Sequence, residues 1–167
     1  MTGTVDSWTP IRPLHASLYD FPTDKSRSDK FFIDVSEVEN DLAFASLGVM
    51  KHELHFNICS LGSSYLLNSA VPNLDTRLKD SISAELSYSC RFWGTRVGAA
   101  SFEQSLAMEV ADFDDDERLL FCIESVDLMR SFGSAAQSLI FILGWCTVRL
   151  LKSFLELGSS NAADSHT

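Results

Sequence analysis

The sequence predicts an all-α protein, an irregular helical bundle or short superhelix of about five to seven helices. Three observations carry this expectation. Apolar residues recur at helical spacing along most of the chain. Several of those runs open on residues suited to a helix start: Ser36 with Glu39, Ser101 with Gln104, and the acidic run Asp114-Asp115-Asp116-Glu117. No alternation of strand-like and helix-like segments is present, as a parallel sheet would need. A small β element near the N-terminus is the one exception allowed.

The elements follow in order. Residues 1–12 are rich in turn formers, and 11–15 suit a short strand. Residues 16–21 suit one or two helical turns, stopped before Pro22, because proline disfavours the helical conformation in its predecessor. Residues 23–30 read as a polar loop, and Phe31-Phe32-Ile33 as an apolar plug or short strand. A helix over about 36–54 starts at the Ser36/Glu39 capping box and presents Val38, Leu42, Ala45 and Val49 on one face. Apolar pieces at 57–61 and 65–67 flank Gly62-Ser63-Ser64, and Val71-Pro72-Asn73 is a break. A short helix over 75–82 precedes a longer one over 84–97 that presents Leu86, Cys90, Trp93 and Val97. Ser101 and Gln104 cap the next helix, with Phe102, Leu106 and Val110 as its stripe. The acidic run opens another, in which Leu119, Ile123, Val126 and Met129 follow, with Gly133 as its stop. A last helix over 135–157, apolar all round at 139–143, ends at Gly158. Residues 159–167 read as a disordered tail.

Composition narrows the function classes. The chain has 167 residues, enough for one domain with a core, and its 46% apolar and 22% charged residues argue against general disorder. The formal net charge is −10, and the basic residues are scattered. Such a surface repels polyphosphate, so general nucleic-acid binding is not expected, while a basic protein partner is compatible. Cys59, Cys90, Cys122 and Cys146 form no Cys-x-x-Cys pair and lie in apolar surroundings. They read as reduced core thiols of a cytoplasmic protein, with no zinc and no cofactor expected. The N-terminus lacks the basic and apolar regions of a secretion signal. Residues 131–148 carry no charge, but Ser131, Ser134, Gln137, Ser138 and Thr147 interrupt them. They read as a buried helix, and a membrane span is not expected.

Several motifs together resemble one segment of the fungal signal-transduction NTPases that join a NACHT nucleotide-binding domain to C-terminal WD repeats. They are Leu14-His15-Ala16-Ser17 with Asp20-Phe21, Asp24 with Ser26-Arg27-Ser28, and Phe31-Phe32-Ile33-Asp34. Asn57-Ile58-Cys59, Val71-Pro72-Asn73-Leu74-Asp75, Tyr88-Ser89-Cys90-Arg91-Phe92-Trp93 and Glu117-Arg118-Leu119-Leu120 continue the order. The resemblance covers about residues 11–146. It implies a winged-helix remnant within the flexible residues 1–34, then a helical linker domain over 35–158, with the tail at 159–167. It also implies that His15 contacts the terminal phosphate of bound ADP in a complete parent protein; an imidazole N–H is a suitable donor to phosphate. Departures are plain. No glycine is followed by lysine, so no phosphate loop is present, and no Trp-Asp dipeptide marks a repeat. Leu18 and Tyr19 stand where Phe and Arg are more usual in that family, and Pro22 where its helix would continue. The expectation is a truncated, non-enzymatic linker or regulatory segment. An adaptor docking on a NACHT-domain relative is the alternative, and a small hydrolase a second one.

Other motifs fall short of chemistry. His52-Glu53-Leu54-His55 spaces its histidines three apart, where a zinc protease needs four. Asp112, Asp114 and Asp116 mimic a calcium loop, but Glu117 replaces its glycine and Ile123 its bidentate glutamate. Gly62-Ser63-Ser64-Tyr65-Leu66 lacks the second glycine of a nucleophile elbow. Tyr88, Phe92 and Trp93 at helical spacing read as core rather than as a ligand box.

Overall fold

Every regular element among the described residues is helical, with no strand. The computed structural model describes residues 15, 17–63, 65–133, 136–138 and 140. The chain divides into two units, Met1–Val38 and Glu39–Thr167.

In the first unit, α1 (Ser17–Thr23) contains Pro22 instead of stopping before it. The proline removes one N–H from a helix that is already ending, and the Thr23 hydroxyl donates to Tyr19 O at 3.0 Å. The expected loop at 23–30 is corrected to a short helix, α2 (Lys25–Ser28), and a 3-10 turn, Asp29–Phe31. Asp24 drives the change: its Oδ1 accepts from the Ser26 amide at 3.0 Å and the Ser26 hydroxyl at 2.6 Å. Phe31 and Ile33 are exposed, so the expected plug or strand there is not formed. Instead Ile33 N donates to Pro22 O at 2.7 Å and folds the extended segment back toward α1. The strand expected at 11–15 lies outside the described residues except His15, which sits in an exposed bend.

The next helix, α3 (Val35–Glu53), starts one residue earlier than its expected capping box. Asp34 caps it: Oδ1 accepts from the Ser36 amide at 3.0 Å and the Ser36 hydroxyl at 2.8 Å. Ser36 is therefore a donor to the cap and not the cap itself. Hydrogen bonds from these serine hydroxyls, then amides, hold the Asp24 and Asp34 carboxyls below their ordinary pKa. A carboxyl depressed in the folded state stabilises it fully above the unfolded pKa and loses that contribution as pH falls through the folded one. We expect the Ser26 and Ser36 amide resonances to shift toward random-coil positions as pH drops below about 4. Amides that stay put to pH 2 would contradict these caps.

In the second unit the central element is α5 (Ala84–Ala99). Ser83 caps it, accepting from Leu86 N at 3.0 Å. The expected residues Leu86, Cys90, Trp93 and Val97 are all buried, joined by Ser89 and Gly94. Preceding it are a 3-10 turn, Asn68–Ala70, and α4 (Leu74–Ser81), close to the expected short helix. Following it are α6 (Gln104–Asp114) and α7 (Arg118–Leu128). Trp93 meets Phe113 of α6 edge-on, with centroids 5.1 Å apart. Cys122 of α7 lies 3.9 Å from Cys90 O and 4.0 Å from the Met50 sulfur of α3.

Three further expectations are corrected. The second capping box does not form: Glu103 occupies the cap position, and its carboxylate accepts from Asn40 Nδ2 at 2.7 Å. Phe102 is correspondingly exposed, while Leu106 and Val110 are buried. Gly133 does not stop α7. Arg130 takes the left-handed conformation (φ 54°), with Arg130 N bonded to Asp127 O and Ser131 N to Val126 O, both at 2.9 Å. That is a Schellman end carried by arginine. Finally, α3 buries Ala43, Ser46, Leu47 and Met50, whereas Val38 and Ala45 are exposed and Leu42 and Val49 half-buried. The helix carries two adjacent apolar rows, and the core takes the one with the longer Leu47 and Met50 side chains.

The last expected helix is described only at 136–138 and 140, and no helix among the described residues is long and apolar enough to cross a membrane. Ser138 is buried, and its hydroxyl donates to Arg91 O at 3.0 Å. A Cβ on Gly94 would sit 2.7 Å from Ser138 C and Cβ, and nearer still to its carbonyl oxygen. Replacing a mid-helix glycine by alanine normally gains up to about 1 kcal/mol. Overpacking of this kind costs about 1–3 kcal/mol. We expect Gly94→Ala to lower the melting temperature, while Gly48→Ala, with open space around it, raises it slightly. Equal gains at both sites would refute the close contact.

Candidate functional site

Two surfaces gather exposed apolar groups, and local chemistry builds both. The first is the connection between α3 and α4. Asn57 adopts a left-handed backbone (φ 53°) and pins the turn with its own amide: Oδ1 accepts from Leu61 N at 2.7 Å and Nδ2 donates to Leu61 O at 3.0 Å. Arg77 of α4 donates to Cys59 O at 3.3 Å and Ser60 O at 2.7 Å. Ile58 and Cys59 plug inward, leaving Phe56 78%, Tyr65 97% and Leu67 76% exposed. Phe56 touches the edge of Phe121 of α7 at 6.3 Å between centroids. Asn68 ties the far end down through a 2.9 Å bond to Asp127 of α7. Phe56, Leu61, Tyr65 and Glu124 share one open cavity of about 440 Å³. A well-anchored loop thus holds bare apolar side chains in water, at a cost the chain has no folding reason to bear.

The second surface is a groove of about 340 Å³ between α3 and α5. Leu42, Ala45 and Val49 line one wall, Ala84 and Tyr88 the other. One end is bounded by the Glu39–Arg96 ion pair, at 2.8 Å, with Arg96 Nε donating to Tyr88 Oη at 2.8 Å. Burial works against the Arg96 charge, but the bonds to Glu39 and Tyr88 more than offset it and hold its pKa above the ordinary value. Glu39, expected in a capping box, instead serves this tertiary pair. The other end is bounded by Glu53, which accepts from Ser83 Oγ at 2.7 Å.

The remaining candidates are dispersed. His15 lies in the bend ahead of α1, and its carbonyl accepts from Leu18 N at 3.0 Å. His52 and His55 are exposed at the end of α3, and Glu53 between them is engaged by Ser83. Asp112 and Asp114 belong to α6, while Asp116 accepts from Arg118 N at 2.8 Å and starts α7. No group of His, Cys, Asp and Glu among the described residues is arranged to hold a metal ion. Ser63 accepts from Tyr65 N at 3.2 Å, in a turn rather than a strand-to-helix elbow; Ser64 lies outside the described residues. Trp93 is core, as expected, but Tyr88 is half-buried and lines the groove. Sequence reasoning missed both surfaces as sites. The signal for the first was the run Tyr65-Leu66-Leu67 beside Gly62; for the second, it was the surplus apolar row on α3.

Cys59, Cys90 and Cys122 are buried free thiols, and Cys146 lies outside the described residues. The hydrogen bond with Cys122, then burial, raises the Cys90 pKa; burial, then Glu124, raises that of Cys59. Thiolate is the reactive form. We therefore expect iodoacetamide at pH 7.5 to leave Cys59, Cys90 and Cys122 unmodified in the native protein and to alkylate them in denaturant, read by peptide mass spectrometry. Rapid native labelling of Cys90 would contradict its burial.

Comparison of the chain with models of protein families, with curated proteins and with solved structures finds no match.

Proposed function

We propose that this chain is a non-enzymatic helical linker or regulatory segment that acts in the cytoplasm through protein contact, like the segment its motifs resemble in NACHT/WD-repeat NTPases. The anchored loop carrying Phe56, Tyr65 and Leu67 is the observation that supports this reading. Exposed apolar side chains on a pinned backbone suit a neighbouring protein surface: ordering costs are met before binding, and contact releases the water they hold. In this reading His15 donates to the terminal phosphate of a nucleotide held by a NACHT domain, and the chain itself supplies no phosphate cradle. An adaptor docking on a separate NACHT-domain relative would use the same loop, so the reading does not depend on whether the contact is made within one polypeptide.

Two measurements test it. ADP alone is expected to leave the melting temperature unchanged, since only a ligand that binds the native state raises it. A NACHT-domain NTPase of the resembling family is expected to co-purify with the chain, and Tyr65→Ser with Leu67→Ser to weaken that association about tenfold or more without lowering the melting temperature. Stoichiometric uptake of ADP by the chain alone, or association indifferent to both substitutions, would overturn the reading.

A further inference from the structure

We propose that the groove between α3 and α5 receives the apolar face of a basic amphipathic helix from a partner protein. This deepens the protein-contact reading above, and rests on it.

The groove has the shape for a helix face. Its walls are the large Leu42, Val49 and Tyr88, and between them Ala45 and Ala84 leave room for an incoming side chain. Leu42, Ala45 and Val49 follow helical spacing, so the wall runs parallel to the α3 axis for about 10 Å. That length matches about two turns of a partner helix, presenting side chains at i, i+3 or i+4, and i+7.

The charge around the groove selects the partner's sign. Glu85 lines it, Glu53 bounds one end, and Asp41 lies exposed one turn before Ala45 on α3. Of the cations nearby, Arg96 is neutralised by Glu39, while Arg91 bonds only to Ser87 O (2.9 Å) and Ser87 Oγ (2.7 Å) and keeps its charge, so the three carboxylates outnumber it. His52 is exposed toward the Glu53 end. A helix with Lys or Arg flanking its apolar stripe meets complementary potential there, and an acidic one meets repulsion. The formal charge of −10 opposes a second copy of the chain and an anionic lipid surface alike.

The test uses the full chain and two synthetic peptides of about 18 residues with the same Leu stripe, one flanked by Lys and one by Glu. Fluorescence anisotropy is expected to show the Lys peptide binding at least about tenfold tighter than the Glu peptide, and weakening as salt rises from about 50 to about 300 mM. Ala45→Lys fills the groove and adds a positive charge to it; it is expected to lower affinity for the Lys peptide at least about tenfold, with helical content and melting temperature retained. Glu85→Lys is expected to weaken it several-fold, and Leu67→Lys, on the loop surface, to leave it unchanged. Equal affinity for both peptides, or no binding of either, overturns the proposal. Loss of binding in Leu67→Lys but not in Ala45→Lys also overturns it, by moving the contact to the loop, and leaves the protein-contact reading standing. A cross-link from position 45 to residues 141–167 in the unbound chain overturns it as well, by assigning the groove to the chain itself.

Discussion

Close packing around α5 is the constraint on which the second unit depends. One face of that helix takes α7, where Cys90 and Cys122 meet beside Met50 of α3. Another takes Phe113 of α6 against Trp93. A third accepts the backbone at Ser138, which only Gly94 leaves room for. Interiors packed to this density tolerate little change in volume, so the small residues of α5 are as constrained as its large ones. Polar bonds sit at the margins of this apolar contact. Glu39–Arg96 fixes α3 against α5, and the Lys51–Glu109 pair links α3 to α6. These pairs are partly exposed, so they set register more than they add stability.

The same packing explains where the apolar surfaces arise. α3 has more apolar residues than its contact with the core can absorb. Once Leu47 and Met50 face inward, Leu42, Ala45 and Val49 come to lie along the side of α5. The loop after α3 shows a similar surplus. Ile58 and Cys59 plug the end of the bundle, the bonds from Asn57 and Arg77 hold the turn at 57–61, and Phe56 and Tyr65 remain exposed on either side of it. Both surfaces are consequences of how the core is closed, and both are held by anchored backbone.

Much of the helical architecture was legible in the residues. The stripe Leu86, Cys90, Trp93, Val97 is long and regular, with Ser83 directly ahead of it, and α5 follows from that pattern. The errors have identifiable causes. At 36–39 and 101–104 a capping-box spacing was satisfied twice, yet the Asp34 side chain caps α3, and Glu103 stands at the start of α6 with its carboxylate turned to Asn40. At α7 the stop came from Arg130, in the left-handed conformation, rather than from the nearby glycine. In α3 two apolar rows satisfied the same period, and only the tertiary partner decides between them. The candidate surfaces were illegible for that reason: a periodic pattern shows that a residue is apolar, not whether another element covers it. His15 could be read only through resemblance, since the residue types around it in the sequence specify no chemistry.

Native-state hydrogen exchange followed residue by residue most directly tests the claim that α5 organises the second unit and leaves one side of α3 uncovered. The amides of residues 88–97 are expected to exchange only through global opening, with the core-facing amides of α3 and α7 close behind, and the exposed loop amides at 66–67 to exchange orders of magnitude faster. Exchange of the α5 amides as fast as those of the loop would contradict it.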